Sequence, residues 1–227
     1  MSLLIQQLSI SYSNADSLSS DKQPLIRYLD LQILNGEITT LMGPSGCGKS
    51  TLLNVIAGHF NQELSYDGKV ILDDEEIQTK DPHERSIGIL FQDDLLFPHL
   101  NIWENIAFAL PNKIRKKERK AEALAILDRV GLANLANAMP HQISGGQRAR
   151  ISLLRMLSAQ PKAVLLDEPF SKLDPELRIN FKTWVFEQLF KANIPALMVT
   201  HDEDDAPAGG KILHWSQLTI EAQSYAR

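Results

Sequence analysis

Apolar positions along the chain fall into short strand-like runs separated by stretches with helical spacing, and their order predicts an architecture. Residues 3–12 alternate loosely and predict an opening strand; residues 29–34 predict a second, closed by the turn Asn35-Gly36. Between them, residues 13–23 are rich in Ser, Asn and Asp and predict an exposed loop. Residues 38–42 form a short apolar strand that runs directly into a glycine-rich turn. Over 50–58, Leu52, Leu53, Val55 and Ile56 fit a buried helix. Strands are predicted at 70–72 and 87–91, then a helix at 103–110 interrupted by Pro111, then a charged amphipathic helix at 115–130 stopped at Gly131. Ser144 caps a helix at 147–159 that stops before Pro161. A buried strand at 163–166, a helix at 175–191 and a strand at 196–200 follow. Strands alternating with helices predict an α/β fold with a mainly parallel sheet, and the mostly helical stretch 93–160 reads as a lobe inserted into it.

Composition narrows this picture without naming a partner. The 227 residues are 44% hydrophobic and 22% charged, ordinary for a globular protein. A net charge of -5 argues against a nucleic-acid binder, which needs a basic face. With Cys47 the one cysteine, no intrachain disulfide can form. The N-terminus lacks a basic flank and does not resemble a signal peptide, and no apolar run approaches the roughly 20 residues of a membrane helix. Any membrane role is therefore expected through a partner.

Three stretches carry candidate chemistry. Gly43-Pro44-Ser45-Gly46-Cys47-Gly48-Lys49-Ser50, with Thr51 behind it, matches the phosphate-binding loop pattern between an apolar strand and an apolar helix. Its glycines let successive N–H groups face phosphate oxygens at the positive end of the following helix, Lys49 can bridge the outer phosphates, and the Ser50 hydroxyl can ligate Mg²⁺. The apolar run 163–166 ends in Asp167-Glu168. Asp167 can hold Mg²⁺ together with Ser50, and Glu168 is placed to orient or deprotonate a water. Alone, such a strand end is commonplace; beside a phosphate loop it gains meaning. Ile143-Ser144-Gly145-Gly146-Gln147 opens a helix with a second anion-binding N-terminus. An ordinary capped helix is the alternative; a second phosphate cradle suggests that two chains share each nucleotide.

In the order of phosphate loop, Gln92, Ile143 to Gln147, Asp167-Glu168, Ser171-Lys172-Leu173-Asp174 and His201, the chain resembles the ABC ATPase family over about residues 3–201. The resemblance implies a P-loop NTPase core (1–92 and 161–227), an N-terminal antiparallel β subdomain and an inserted helical subdomain (93–160), all in one domain over 1–227. It implies ATP and Mg²⁺ as cofactors. A homodimer would sandwich ATP between the phosphate loop of one copy and Ser144, Gly145, Gly146 and Gln147 of the other. Gln92 would sense Mg²⁺ and the γ-phosphate, His201 would contact the γ-phosphate, and Asp174 would lie on the dimer seam. Tyr12 stands where the family has a ring that stacks on adenine; a strand-end tyrosine packing locally is the other reading.

The segments 91–100 and 105–108 resemble ATPase subunits of bacterial binding-protein-dependent importers, in the style of thiamine, polyamine and iron importers. That implies a separate integral membrane permease, a binding protein on the far side of the membrane, and a place at the cytoplasmic face. An exporter subunit and a non-transport ABC ATPase are the rival readings. Departures are Ile143 where leucine is commonest, and an acidic, Pro- and Gly-containing stretch at 202–210 in place of the usual helix and strands. The basic run from Lys113 to Lys120 is expected to be a solvated helix start. His59, His83, His99, His141 and His214 have no metal-ligand spacing and are assigned no chemistry.

Overall fold

A computed structural model describes residues 2–12, 25–59 and 63–218; the expected loop at 13–23 lies outside the described residues. Two sheets organise the described residues. One is antiparallel, in the order β2-β1-β4-β5, from β1 (Ser2–Tyr12), β2 (Ile26–Leu34), β4 (Leu64–Leu72) and β5 (Glu75–Glu76). The other is parallel, in the order β6-β7-β8-β3-β9, from β3 (Ile38–Met42), β6 (Ile87–Leu90), β7 (Ala163–Asp167), β8 (Ala196–Thr200) and β9 (Lys211–His214).

Every residue of β3 and β8 is buried, which is why these strands show no alternation of apolar and charged residues and carry only threonines among their polar positions. Their register pairs Met42 with Thr200, while Asp167 faces Val199 and Leu90 faces Leu166. Parallel strands put all their carboxyl ends on one edge. The residues after β3, β6, β7 and β8 therefore converge there, where open α/β sheets bind ligands.

Helix α1 (Lys49–Ala57) packs Leu52, Leu53, Val55 and Ile56 between the two sheets, in a core shared with Leu3, Ile5 and Leu8 of β1 and Leu165 and Leu197 of the parallel sheet. Helices α2 (Ile102–Ala109), α3 (Arg119–Arg129) and α4 (Gly145–Ser158) form their own core around Ile102, Ile106, Leu127 and Ile151. Helix α4 also lends Leu153 and Met156 to the core beneath α5 (Pro175–Ala192), so it belongs to both layers.

Four expectations needed adjustment. Strand β4 begins six residues before the predicted 70–72, because Ser65, Asp67 and Lys69 alternate outward along a half-exposed strand. Helix α3 begins at Arg119, not 115, and the basic run is exposed as expected except at Arg119. The Arg119 guanidinium donates to the carbonyls of Ala107 and Leu110, both at 2.8 Å, and of Pro111 at 3.0 Å, closing the end of α2 where its carbonyls lack helical partners. After His201 the helix is indeed cut short, to the 3₁₀ turn Glu203–Asp205, but a strand persists: β9 adds to the edge of the sheet beside β3. Its polar ends hid it from the hydrophobic pattern.

Candidate functional site

The phosphate loop leaves β3 at Gly43 and enters α1 through Gly48 at φ 112. A side chain there would be strained by its backbone, and its Cβ would come within 2.7 Å of Leu25. At the other end of the loop Gly43 lies against Trp215, and a Cβ would meet the Trp215 Cβ at 2.7 Å. Trp215 is buried and belongs to the core under α1. The loop is thus clamped from both sides, a support that nothing in the motif announced.

Lys49 is only 5% exposed, and its Nζ donates to the carbonyl oxygens of Gly43 (2.7 Å) and Pro44 (2.9 Å). The ammonium is held over its own loop by acceptors, the arrangement a buried charge requires. Cys47, half-buried, has its sulfur 4.0 Å from the same Nζ. The Ser50 hydroxyl donates to Asp167 Oδ1 at 2.9 Å, joining residues 117 apart. Burial pushes the Asp167 carboxyl above its ordinary range and Glu168 adds to the rise, against the Ser50 hydrogen bond and Lys49.

Glu168 takes a left-handed backbone (φ 45), and its N–H donates to Val199 O at 3.0 Å. Such a conformation in a non-glycine residue costs on the order of 1–3 kcal/mol and needs surrounding contacts to persist. Ser171 supplies one: its hydroxyl donates to Glu168 O at 2.9 Å. The outcome is a carboxylate turned toward His201, with Glu168 Oε1 and His201 Nδ1 3.2 Å apart. Lys49, Ser50, Asp167, Glu168 and His201 are therefore assembled on one edge.

Of the other expected residues, Ser144 to Gln147 open α4 and Asp174 caps α5. Ser144 caps α4 reciprocally: Gln147 N–H donates to Ser144 Oγ at 3.2 Å, and Ser144 N–H to Gln147 Oε1 at 2.9 Å. Gln147 is thus occupied in fixing the turn. Gly146 abuts Leu177 of α5, whose own cap is Asp174, with Leu177 N–H donating to Asp174 Oδ1 at 3.1 Å. Gln92, exposed just past β6, lines a cleft with Gly145, Arg148, Lys172 and Leu173. Thr51 is the third residue of α1. Tyr12 ends β1 opposite Leu64 with 56% of its surface exposed.

Several structural residues escaped the sequence reading. Arg148 pairs with Asp94 at 2.7 Å, Ser152 Oγ donates to Asp94 O at 2.7 Å, and Arg155 donates to Leu95 O at 2.9 Å. Together they tie the segment after Gln92 to α4. Lys172 pairs with Asp93 across the same cleft. Charge complementarity over such separations leaves no local signature.

Comparison with known proteins agrees with this fold. The family profile described as ABC transporter matches residues 26–171. The chain is 43% identical over 201 residues to the ABC transporter ATP-binding protein YnjD of Escherichia coli K12, covering 88% of this chain and 93% of that one. It is 38% identical over 212 residues to the sulfate/thiosulfate import ATP-binding protein CysA of Neisseria meningitidis serogroup A, covering 91% of this chain but 56% of that one. Among solved structures, the dimeric post-hydrolysis state of the ATP-binding cassette MJ0796 bound to ADP and Pi superposes with a TM-score of 0.73 at 27% identity, over 93% of each chain. Among the described residues no helix is long and apolar enough to cross a membrane.

Proposed function

The chain belongs to the ABC transporter family, and from that premise we propose that it is the ATP-hydrolysing subunit of an importer, working as a homodimer on a separate permease. The observation that carries the chemistry is the Ser50–Asp167 contact at 2.9 Å, which brings the phosphate loop's hydroxyl and the strand-end carboxylate to one point. Two hard oxygen donors suit Mg²⁺, and a divalent cation would offset the burial that disfavours the ionised Asp167 carboxylate. Ser50 and Asp167 would hold Mg²⁺, which would supply charge neutralisation to the phosphates. Gln92 is the third residue we assign to sensing it.

The remaining roles belong to the chain's own groups. The loop from Gly43 to Thr51 cradles the phosphates, and Lys49 exchanges its two carbonyl partners for β/γ oxygens. Glu168 accepts a proton from the attacking water. His201, with Nδ1 directed to Glu168, presents Nε2 to the γ-phosphate. Phosphoryl transfer of this kind rests on positioning and charge stabilisation, which this set supplies. Tyr12 stacks on adenine. Ser144, Gly145 and Gly146 of a second copy close over the γ-phosphate at the positive end of α4, with Asp174 on the seam. The helical segment 93–160 then relays nucleotide state from Gln92 to the permease, through the contacts of Asp94 and Leu95 with α4.

Import is favoured over export by the likeness to CysA, but the solute is chosen by the permease and binding protein, so sulfate is not carried over. The test is turnover by the purified chain. Mg²⁺-dependent ATP hydrolysis is expected, and Lys49→Ala removes it together with most ATP binding. Near-normal turnover by that variant overturns the site.

A further inference from the structure

Immediately after His201 the chain carries four acidic residues in succession, Asp202 to Asp205. A run of negative charge beside a polyphosphate site is unfavourable unless it is countered and held. One side chain does this for two of the four, Asp202 and Asp205. Arg178 of α5 donates through Nε to Asp205 Oδ1 at 2.9 Å and through Nη2 to the same oxygen at 2.6 Å, and Nη2 also reaches Asp202 Oδ2 at 2.5 Å. Asp205 is only 2% exposed, and its second oxygen accepts the Thr200 hydroxyl at 2.8 Å. The Thr200 hydroxyl in turn accepts the Asp202 N–H at 3.1 Å.

The residues on either side of His201 are therefore fixed by a single guanidinium, directly or through Asp205. Arg178 also lies one turn into α5, where its N–H donates to the carbonyl of the helix cap Asp174 at 2.8 Å. The chain from Asp174 through Arg178 and Asp205 to Thr200 and His201 is continuous. Hydrogen bonding to Arg178 also holds the Asp202 carboxyl below the ordinary carboxylate range, in keeping with a shared cation.

We propose that Arg178 is a positioning residue for His201: by bridging Asp202 and Asp205 it fixes the His201 turn against the first turn of α5, and so links the Asp174 seam to the γ-phosphate contact. The inference rests on the role assigned to His201 above. A lysine is a poor substitute, because its single nitrogen on a shorter stem replaces the Nε and Nη2 that together hold Asp205 while Nη2 reaches on to Asp202. Lys182, which donates to Asp204 O, supports the same turn but touches neither Asp202 nor Asp205 through this contact.

The test is a double-mutant cycle read in single-turnover phosphate release and in ATP binding by the full chain. Arg178→Met is expected to lower the hydrolysis rate by about tenfold while ATP affinity stays within about twofold. Arg178→Lys recovers little of the loss, and Asp205→Asn, which retains an acceptor for Thr200, shows the same split more mildly. In a His201→Ala background, Arg178→Met changes the residual rate by less than about twofold, since its effect runs through the missing ring. A further tenfold loss in that background overturns the proposal. So does full rescue by lysine, which would reduce Arg178 to a simple counter-charge. Wild-type protein that binds no ATP would instead remove the functional reading itself, so the two failures are distinguishable.

Discussion

Glu168 Oε1 and His201 Nδ1 stand 3.2 Å apart at the ends of two adjacent parallel strands. A glutamine at 168 would keep this contact's shape and lose the base. Glu168→Gln is therefore expected to slow hydrolysis by roughly 10² to 10⁴-fold while leaving ATP binding intact. Sandwiched ATP would then persist, and light scattering should show a dimer that wild type, turning over, does not accumulate. Adding Ser144→Arg should dissolve that dimer by placing bulk at the second anion site. A monomeric Glu168→Gln protein in saturating Mg-ATP would count against a composite site in the isolated subunit.

Asp167 makes a prediction of opposite sign for stability and activity. Its folded-state pKa lies above the ordinary value because of burial, so the native state holds its proton more tightly than the unfolded chain. The ionised group therefore destabilises the metal-free fold at neutral pH, and that penalty is lost as pH falls through the folded pKa. Asp167→Asn, which can still accept from Ser50, should raise the melting temperature at neutral pH in the absence of Mg²⁺. The gap from wild type should shrink on acidification. Mg²⁺-dependent hydrolysis should fall by roughly 10²-fold or more. A variant less stable than wild type at pH 7 would contradict the burial argument.

Cys47 sits in the loop, half-buried, 4.0 Å from the Lys49 ammonium. Maleimide is expected to inactivate the protein, and Mg-ATP to slow the modification. A labelling rate unchanged by ATP would place the nucleotide elsewhere.

Tyr12 is more than half exposed, so its removal should cost little stability. Tyr12→Ala is expected to weaken ATP binding by about tenfold, the order of one lost base stack. The maximal rate should barely change, because stacking binds ground and transition states alike. Unchanged affinity would assign the ring to local packing instead.

What the sequence determined by itself was local. Strand β3, the phosphate loop and α1 were legible because a buried apolar run, a glycine pattern and helical spacing sit within some twenty residues of each other. The Ser144 cap was legible for the same reason, its partner Gln147 being three residues on. Strand order was not. Only the tertiary structure decided that β7 lies between β6 and β8, and hence that Asp167 reaches Ser50 across 117 residues while Glu168 meets His201. Strand β9 took its identity from pairing with β3, because an edge strand with exposed ends need not be apolar. Arg178 and Asp205, 27 residues apart, read in sequence as ordinary surface charges. Their meaning came from burial, since a carboxylate removed from water must find a cation, and folding alone chose which one.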